Sequence, residues 1–327
     1  MNYPPTPRLL LAAAFAVFIA ACTKTPDTIS DPVDVGSSDK TKLNQLFAAF
    51  RYTPQQFTIN AGTLQVVRGQ KGTKLTFYAN TFKDAAGNPI TSGTIDVRLT
   101  EMYTPGDMIA NRATTMGKNE PLVSGGQVLI TATRNGQPVT VNKYGIAYAN
   151  ANENEVMNLF PGNTNNPDSV ATWGDPIVSV GTFCVTGTVD SSSPTASLTY
   201  KFDSCTTLNW VNCDRFASDS GTKTKVYAKV NNTLFNSSNT QTYLIFPTIN
   251  SVTIMGDYTA VSKRFGLYST YTLPVGLPVN VVVMSAKDNK YYYFEKKGLT
   301  VSANMEIDAS GLTEQTEQYI KDKLNQL

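Results

Sequence analysis

From residue 57 to about 307 the chain consists of short segments rich in Val, Ile, Thr, Tyr and Phe, separated by clusters of Gly, Asn, Asp and Pro. Within several of them apolar and polar positions alternate. Thr73-Lys74-Leu75-Thr76-Phe77-Tyr78 is one such run and Thr94-Ile95-Asp96-Val97-Arg98-Leu99 is another. Period two puts successive side chains on opposite faces of a strand, so each run predicts one face inward and one toward water. Asn135-Gly136 lies between residues 127–133 and 138–141. Both residues tolerate positive φ, which a type I′ turn needs at its two centres, so a tight hairpin is predicted there. The cluster from Asp84 to Pro89 predicts a second turn. Lys287-Asp288-Asn289-Lys290 predicts a third, between the runs 279–285 and 291–295. Two stretches follow the helical period instead. Leu43, Leu46, Phe47 and Phe50 make one apolar stripe after a Ser38-Asp39 cap, and Pro54 ends it. Leu312, Tyr319, Ile320, Leu324 and Leu327 make another, with Thr313 ahead of Glu314 and Glu317 at the N-terminal end.

The strand pattern weakens at residues 150–175, where Asn, Pro, Gly and Asp crowd together. A boundary is therefore expected near 168. The expectation is an all-β chain of two β-sandwich domains in tandem, 38–167 with its leading short helix and 168–310, closed by a C-terminal amphipathic helix over 311–327. No internal repeat is visible.

Ahead of these lies an apolar run from Leu9 to Ala21, preceded by Arg8 and followed by Cys22. The run is about 13 residues, well short of the roughly 20 that span a bilayer as a helix. It has the form of a secretory signal core, so residues 1–21 are expected to be removed. Ile19-Ala20-Ala21-Cys22 resembles the bacterial lipobox. That resemblance implies a diacylglycerol on the Cys22 thiol and a membrane attachment through acyl chains. Residues 22–37 are polar, contain proline and lack periodicity, which predicts a flexible tether.

Composition narrows the chemistry. With 27 basic and 25 acidic residues, no charged field exists to hold nucleic acid. There is no histidine. Ser-His-Asp and Cys-His catalysis, and the common His-ligated zinc sites, are therefore excluded. Beyond Cys22 the thiols are Cys184, Cys205 and Cys213, with no C-x-x-C spacing. Runs 180–189 and 197–205 predict a hairpin that would bring Cys184 near Cys205. A cross-strand disulfide is one reading of that pair, and reduced, buried thiols are the other.

Few residues group in a way that suggests a site. Asp96 and Glu101 are five apart on one predicted strand and so point to opposite faces, as solvated charges. Asp203, Asp214 and Asp219 carry oxygens that suit calcium, but their spacing fits no calcium loop, and turn and cap roles suit them better. No metal and no cofactor are expected. Trp210, beside Asn212-Cys213-Asp214, shares a face with Asn212 and either plugs a core or lines a groove. Tyr291 and Tyr293 share one face of a strand and Tyr292 and Phe294 the other. Trp210, Tyr291 and Tyr293 are thus the candidate ligand platform, since aromatic faces stack on sugars.

The stretch 72–139 carries Gly72-Thr73-Lys74-Leu75, Asn80-Thr81-Phe82, Gly93-Thr94-Ile95-Asp96-Val97, Glu101-Met102-Tyr103, Asn111-Arg112 and Ser124-Gly125-Gly126. It resembles the N-terminal module of envelope lipoproteins from Bacteroidetes-type bacteria, a family with no assigned chemistry. The early part is also similar to a ZU5-type β-sandwich, an interaction scaffold elsewhere. Asn209-Trp210-Val211-Asn212-Cys213-Asp214 extends the lipoprotein resemblance into the second block. What the resemblance implies is a protein of the bacterial cell envelope, on the outer membrane; the role expected of it is that of a non-catalytic interaction or scaffold module. Its partner would be a glycan or another envelope protein. Carbohydrate capture in a polysaccharide-uptake system is the alternative.

Overall fold

The strand Thr94–Met102 sends Ile95, Val97 and Leu99 to one side and Asp96, Arg98 and Thr100 to the other, as its alternation predicts. The computed structural model describes residues 35–117, 120–149, 156–162, 173, 184–185, 199–217, 221–268 and 271–327. The signal segment, Cys22, the tether up to residue 34, the boundary at 168 and Asp219 lie outside them. The protein is mostly β, with strand at 51% against helix at 12%.

The first sheet runs in the order Gln55–Asn60, Thr94–Met102, Leu122–Arg134, Asn209–Phe216, Asn158–Pro161, all antiparallel. The second runs Cys184–Val185, Tyr200–Cys205, Tyr144–Tyr148, Lys74–Phe77, Gln65–Arg68. Ile95, Val97 and Leu99 of the first sheet share an apolar cluster with Leu75, Phe77, Tyr144 and Ile146 of the second. The Asn135-Gly136 hairpin forms as expected, with φ of 51° and 77° at its two centres.

A third sheet runs Ser251–Ile254, Thr240–Phe246, Pro278–Lys287, Lys290–Thr300, Thr313–Gln315. A fourth runs Asp257–Thr259, Arg264–Gly266, Val226–Lys229, Met305–Asp308, and its last pair is parallel. Leu244, Val281 and Val283 meet Val226, Ala228 and Ile307 in a second cluster. The strands Tyr200–Cys205 and Asn209–Phe216 were expected in the later block. They pair instead with Tyr144–Tyr148 and Leu122–Arg134, so the partition between the two pairs of sheets falls after Phe216. Pairing across the ladder decides membership, and turn-rich composition at 150–175 does not mark it.

Three helices lie among the described residues: α1 (Val35–Phe50), α2 (Pro105–Ala110) and α3 (Glu317–Leu324). α1 begins before Ser38-Asp39. Asp39 lies inside it, pairing with Lys287 Nζ at 3.1 Å and accepting the Asp288 N–H, so it is not a cap. α3 is shorter than expected, because residues 313–315 extend the third sheet. Its cap is Thr316, whose hydroxyl accepts the Tyr319 N–H. All three helices enter a further apolar cluster between the first and third sheets. Leu43, Leu46 and Phe47 of α1 meet Tyr243, Val282 and Met284 there, together with Met108 of α2 and Ile320 and Leu324 of α3. This cluster joins the halves, and residues 35–327 form one compact unit. α2 and α3 touch closely enough that a Cβ on Gly106 would lie 1.9 Å from the Leu324 carbonyl oxygen.

Candidate functional site

The face of the first sheet turned away from its partner sheet carries Thr100, Leu129 and Trp210 in one cross-strand row. Thr131 and Thr133 continue that face along Leu122–Arg134. The ladder to Asn209–Phe216 starts only at Ile130, and the Asn135-Gly136 hairpin returns along the same edge. A groove of about 640 Å³ opens between the two. Its wall is completed by Thr206, Thr207 and Asn209 on one side and by Tyr52 and Asn111 on another. Among the described residues lining it, Arg51 carries the only charge and there is no carboxylate. The volume is that of a small-molecule site, and its polar groups are hydroxyls and amides.

At the rim next to Tyr52 lies a network of ionic and hydrogen-bonding groups. Asp107 takes the Lys71 ammonium and the Tyr52 hydroxyl, each at 2.6 Å, and the backbone N–H groups of Tyr103 and Thr104. Burial pushes the Asp107 carboxyl up. The bonds from Lys71, Tyr52 and Tyr103 outweigh it and hold the group below the usual carboxylate range. Burial and the adjacent Asp107 push the Tyr52 phenol well up. With Thr104 and Asp107 acting as a reciprocal capping box on α2, these groups are all engaged in holding the chain.

Glu101 is buried, against the expectation of a solvated strand charge. Its carboxylate accepts the Lys71 and Thr73 N–H groups and the Gln55 amide, all within 2.9 Å. Asp96 is exposed on the opposite face, bonded to the Thr58 hydroxyl. The two form no catalytic pair. Parity separated them correctly, but it does not show that the turn from Gly69 to Thr73 folds over Glu101.

The platform of Trp210, Tyr291 and Tyr293 is not assembled. Tyr291 and Tyr293 are 9% and 4% exposed, in the cluster that joins the halves, while Tyr292 and Phe294 pack against the second cluster on the other face. Both faces of their strand pack against a further layer, so Tyr291 and Tyr293 offer no open face to a ligand. Trp210 is also largely buried, edge to face with Trp173 at 6.4 Å, yet it does border the groove.

The Cys184–Cys205 disulfide is not formed, and Cys205 and Cys213 are free and buried. The hairpin exists, but its register sets Cys184 opposite Lys201. Cys205 is four residues further on, roughly 13 Å along the strand at 3.3 Å per residue. A disulfide needs Cα atoms within about 7 Å. The Cys205 Sγ instead lies 3.2 Å from the Tyr144 hydroxyl. Burial pushes both thiols up, Cys213 further, which makes them poor nucleophiles.

Among the described residues no group of three Asp, Glu or Cys side chains could hold a metal ion, and Asp203 pairs with Lys201. No helix of the described residues is long and apolar enough to cross a membrane. No protein-family model matches the chain, and neither does any curated protein.

Apart from Trp210, the residues that sequence reasoning missed are those of the groove. Thr131 and Thr133 lie on an outward strand face, and the gap beside them depends on where a distant strand begins to pair. The one available signal was the polar, hydroxyl-rich outward side of residues 127–133.

Proposed function

We propose that the protein is a non-catalytic binding module of a bacterial cell envelope, built as two fused β-sandwiches and held to the membrane by acyl chains on Cys22. The groove is the observation that carries the binding role. It offers a sheet floor, an aromatic edge, neutral hydroxyl and amide groups and the Arg51 guanidinium, and among the described residues no carboxylate or thiol lines it. The buried thiols and the fully engaged Asp107 and Glu101 support the same reading, as does the absence of histidine from the sequence.

The groove chemistry also favours the second reading, carbohydrate capture, at a place other than Tyr291 and Tyr293. Trp210 and Tyr52 offer partly apolar rims, and the threonines and asparagines match hydroxyl-rich ligands. Thr131→Trp would fill the groove from a half-buried position without touching a core. We expect that variant to keep its circular dichroism spectrum and to lose at least about tenfold in affinity, about 1.4 kcal/mol, for any glycan the parent binds on an array. An array on which the parent binds nothing removes the carbohydrate reading. Retained binding by the filled variant removes the groove as its site.

The anchor has its own test. Cys22→Ser in a bacterial host is expected to abolish incorporation of a labelled fatty acid and to leave residues 1–21 uncleaved, which changes the mass. Unchanged mass and labelling would exclude lipidation.

A further inference from the structure

The strands Leu122–Arg134 and Asn209–Phe216 carry a buried polar patch on the face that otherwise feeds the cluster joining the halves. Gln127 and Asn212 stand directly opposite one another, and past a bulge Asp214 stands opposite Ser124. Gly125 and Gly126 form the bulge, where Gly126 has a φ of +113°. Gln127, Asn212 and Asp214 are all 0% exposed and Ser124 is 6% exposed. The Asn212 amide N–H donates to Asp214 Oδ2, and the Ser124 hydroxyl bonds the same carboxyl. Three buried oxygens are left with no partner: Gln127 Oε1, Asn212 Oδ1 and Asp214 Oδ1. Cross-strand neighbours on one face have Cβ atoms about 5 Å apart, so these groups occupy one small region.

We propose that this patch is a binding site for one monovalent alkali cation, held by the Asp214 carboxylate, the Asn212 and Gln127 amide oxygens and the Ser124 hydroxyl. Orphaned buried acceptors are strongly unfavourable, and native proteins supply each with a partner. As oriented, all three orphans accept, so an electropositive partner fits them. A water brings two hydrogens to three acceptors. A proton on Asp214 brings one, and one amide oxygen is left over. A cation can serve all three. Hard oxygen donors suit alkali and alkaline-earth ions. With one carboxylate in an apolar surround, a monovalent ion leaves the site neutral, whereas a divalent ion would leave a net buried charge.

The test is the melting temperature of the full-length protein at pH 7.5 in sodium, potassium, calcium or choline chloride at matched ionic strength. Sodium or potassium is expected to raise it over choline by about 2–4 °C, saturably, and Asp214→Asn is expected to abolish the difference. Because that variant alters a buried polar cluster and so tests folding as well as binding, ²³Na line broadening by the unaltered protein, reversed by excess potassium, gives a second readout. Equal melting in all four salts without broadening overturns the site. A shift with calcium alone overturns the charge argument.

Discussion

A Phe47→Ala protein is expected to unfold about 3–5 kcal/mol more easily than its parent, the usual loss when a fully buried phenylalanine leaves a cavity. Phe47 is 1% exposed and sits where α1 crosses the third sheet, with its ring 6.3 Å from that of Tyr243. The Arg112 guanidinium lies over the same ring at 4.6 Å, and its Nη1 donates to Asn44 on the next turn face of α1. Truncation therefore removes packing and uncovers a buried cation as well. A domain has only about 5–15 kcal/mol to lose. The check is the urea midpoint, with Tyr319→Ala as the control, since Tyr319 is 40% exposed. That control should shift by less than about 1 kcal/mol. A midpoint for Phe47→Ala within error of the parent would mean that α1 is not part of the cooperative unit.

Glu101→Ala is the second large effect. It strips a partner from the buried Thr73 N–H, from the part-buried Lys71 N–H and from the Gln55 amide at once. A buried orphaned donor costs about 1–3 kcal/mol and one that water can reach costs less, so a loss of about 2–3 kcal/mol is expected. Glu101→Gln should recover little, because an amide NH₂ would face backbone donors on at least one side. The turn leaves no slack. A Cβ on Gly69 would stand within 2.5 Å of the carboxylate oxygens. Hydrogen exchange at Lys71 and Thr73 is the local readout, and fast exchange there without global unfolding would show the clamp opening by itself. An alanine variant as stable as the parent would remove the clamp from the account.

Local signals in the sequence carry through to the structure. The alternation at 94–99, the Asn135-Gly136 turn and the stripe of Leu43, Leu46, Phe47 and Phe50 all appear where their periods place them. What period two cannot reveal is whether an outward face meets water or another layer. Tyr291 to Phe294 has the expected parity, and both sides are covered. The uninterrupted apolar run from Val281 to Met284 was the sign, since strands buried on both faces do not alternate. α2 escaped because six residues are too few for a helical stripe. Its mark was Thr104-Pro105-Gly106-Asp107, a cap with proline at the first helical position. Cys205, Glu101 and the groove depend on register between segments far apart in the chain, and no local period encodes that.

The close approach of Gly106 to Leu324 makes α2 depend on a segment far along the chain. Ile320 and Leu324 share a cluster with Met108 and Ile109, so trimming residues 317–327 would strip part of the cover from α2 as well as removing α3.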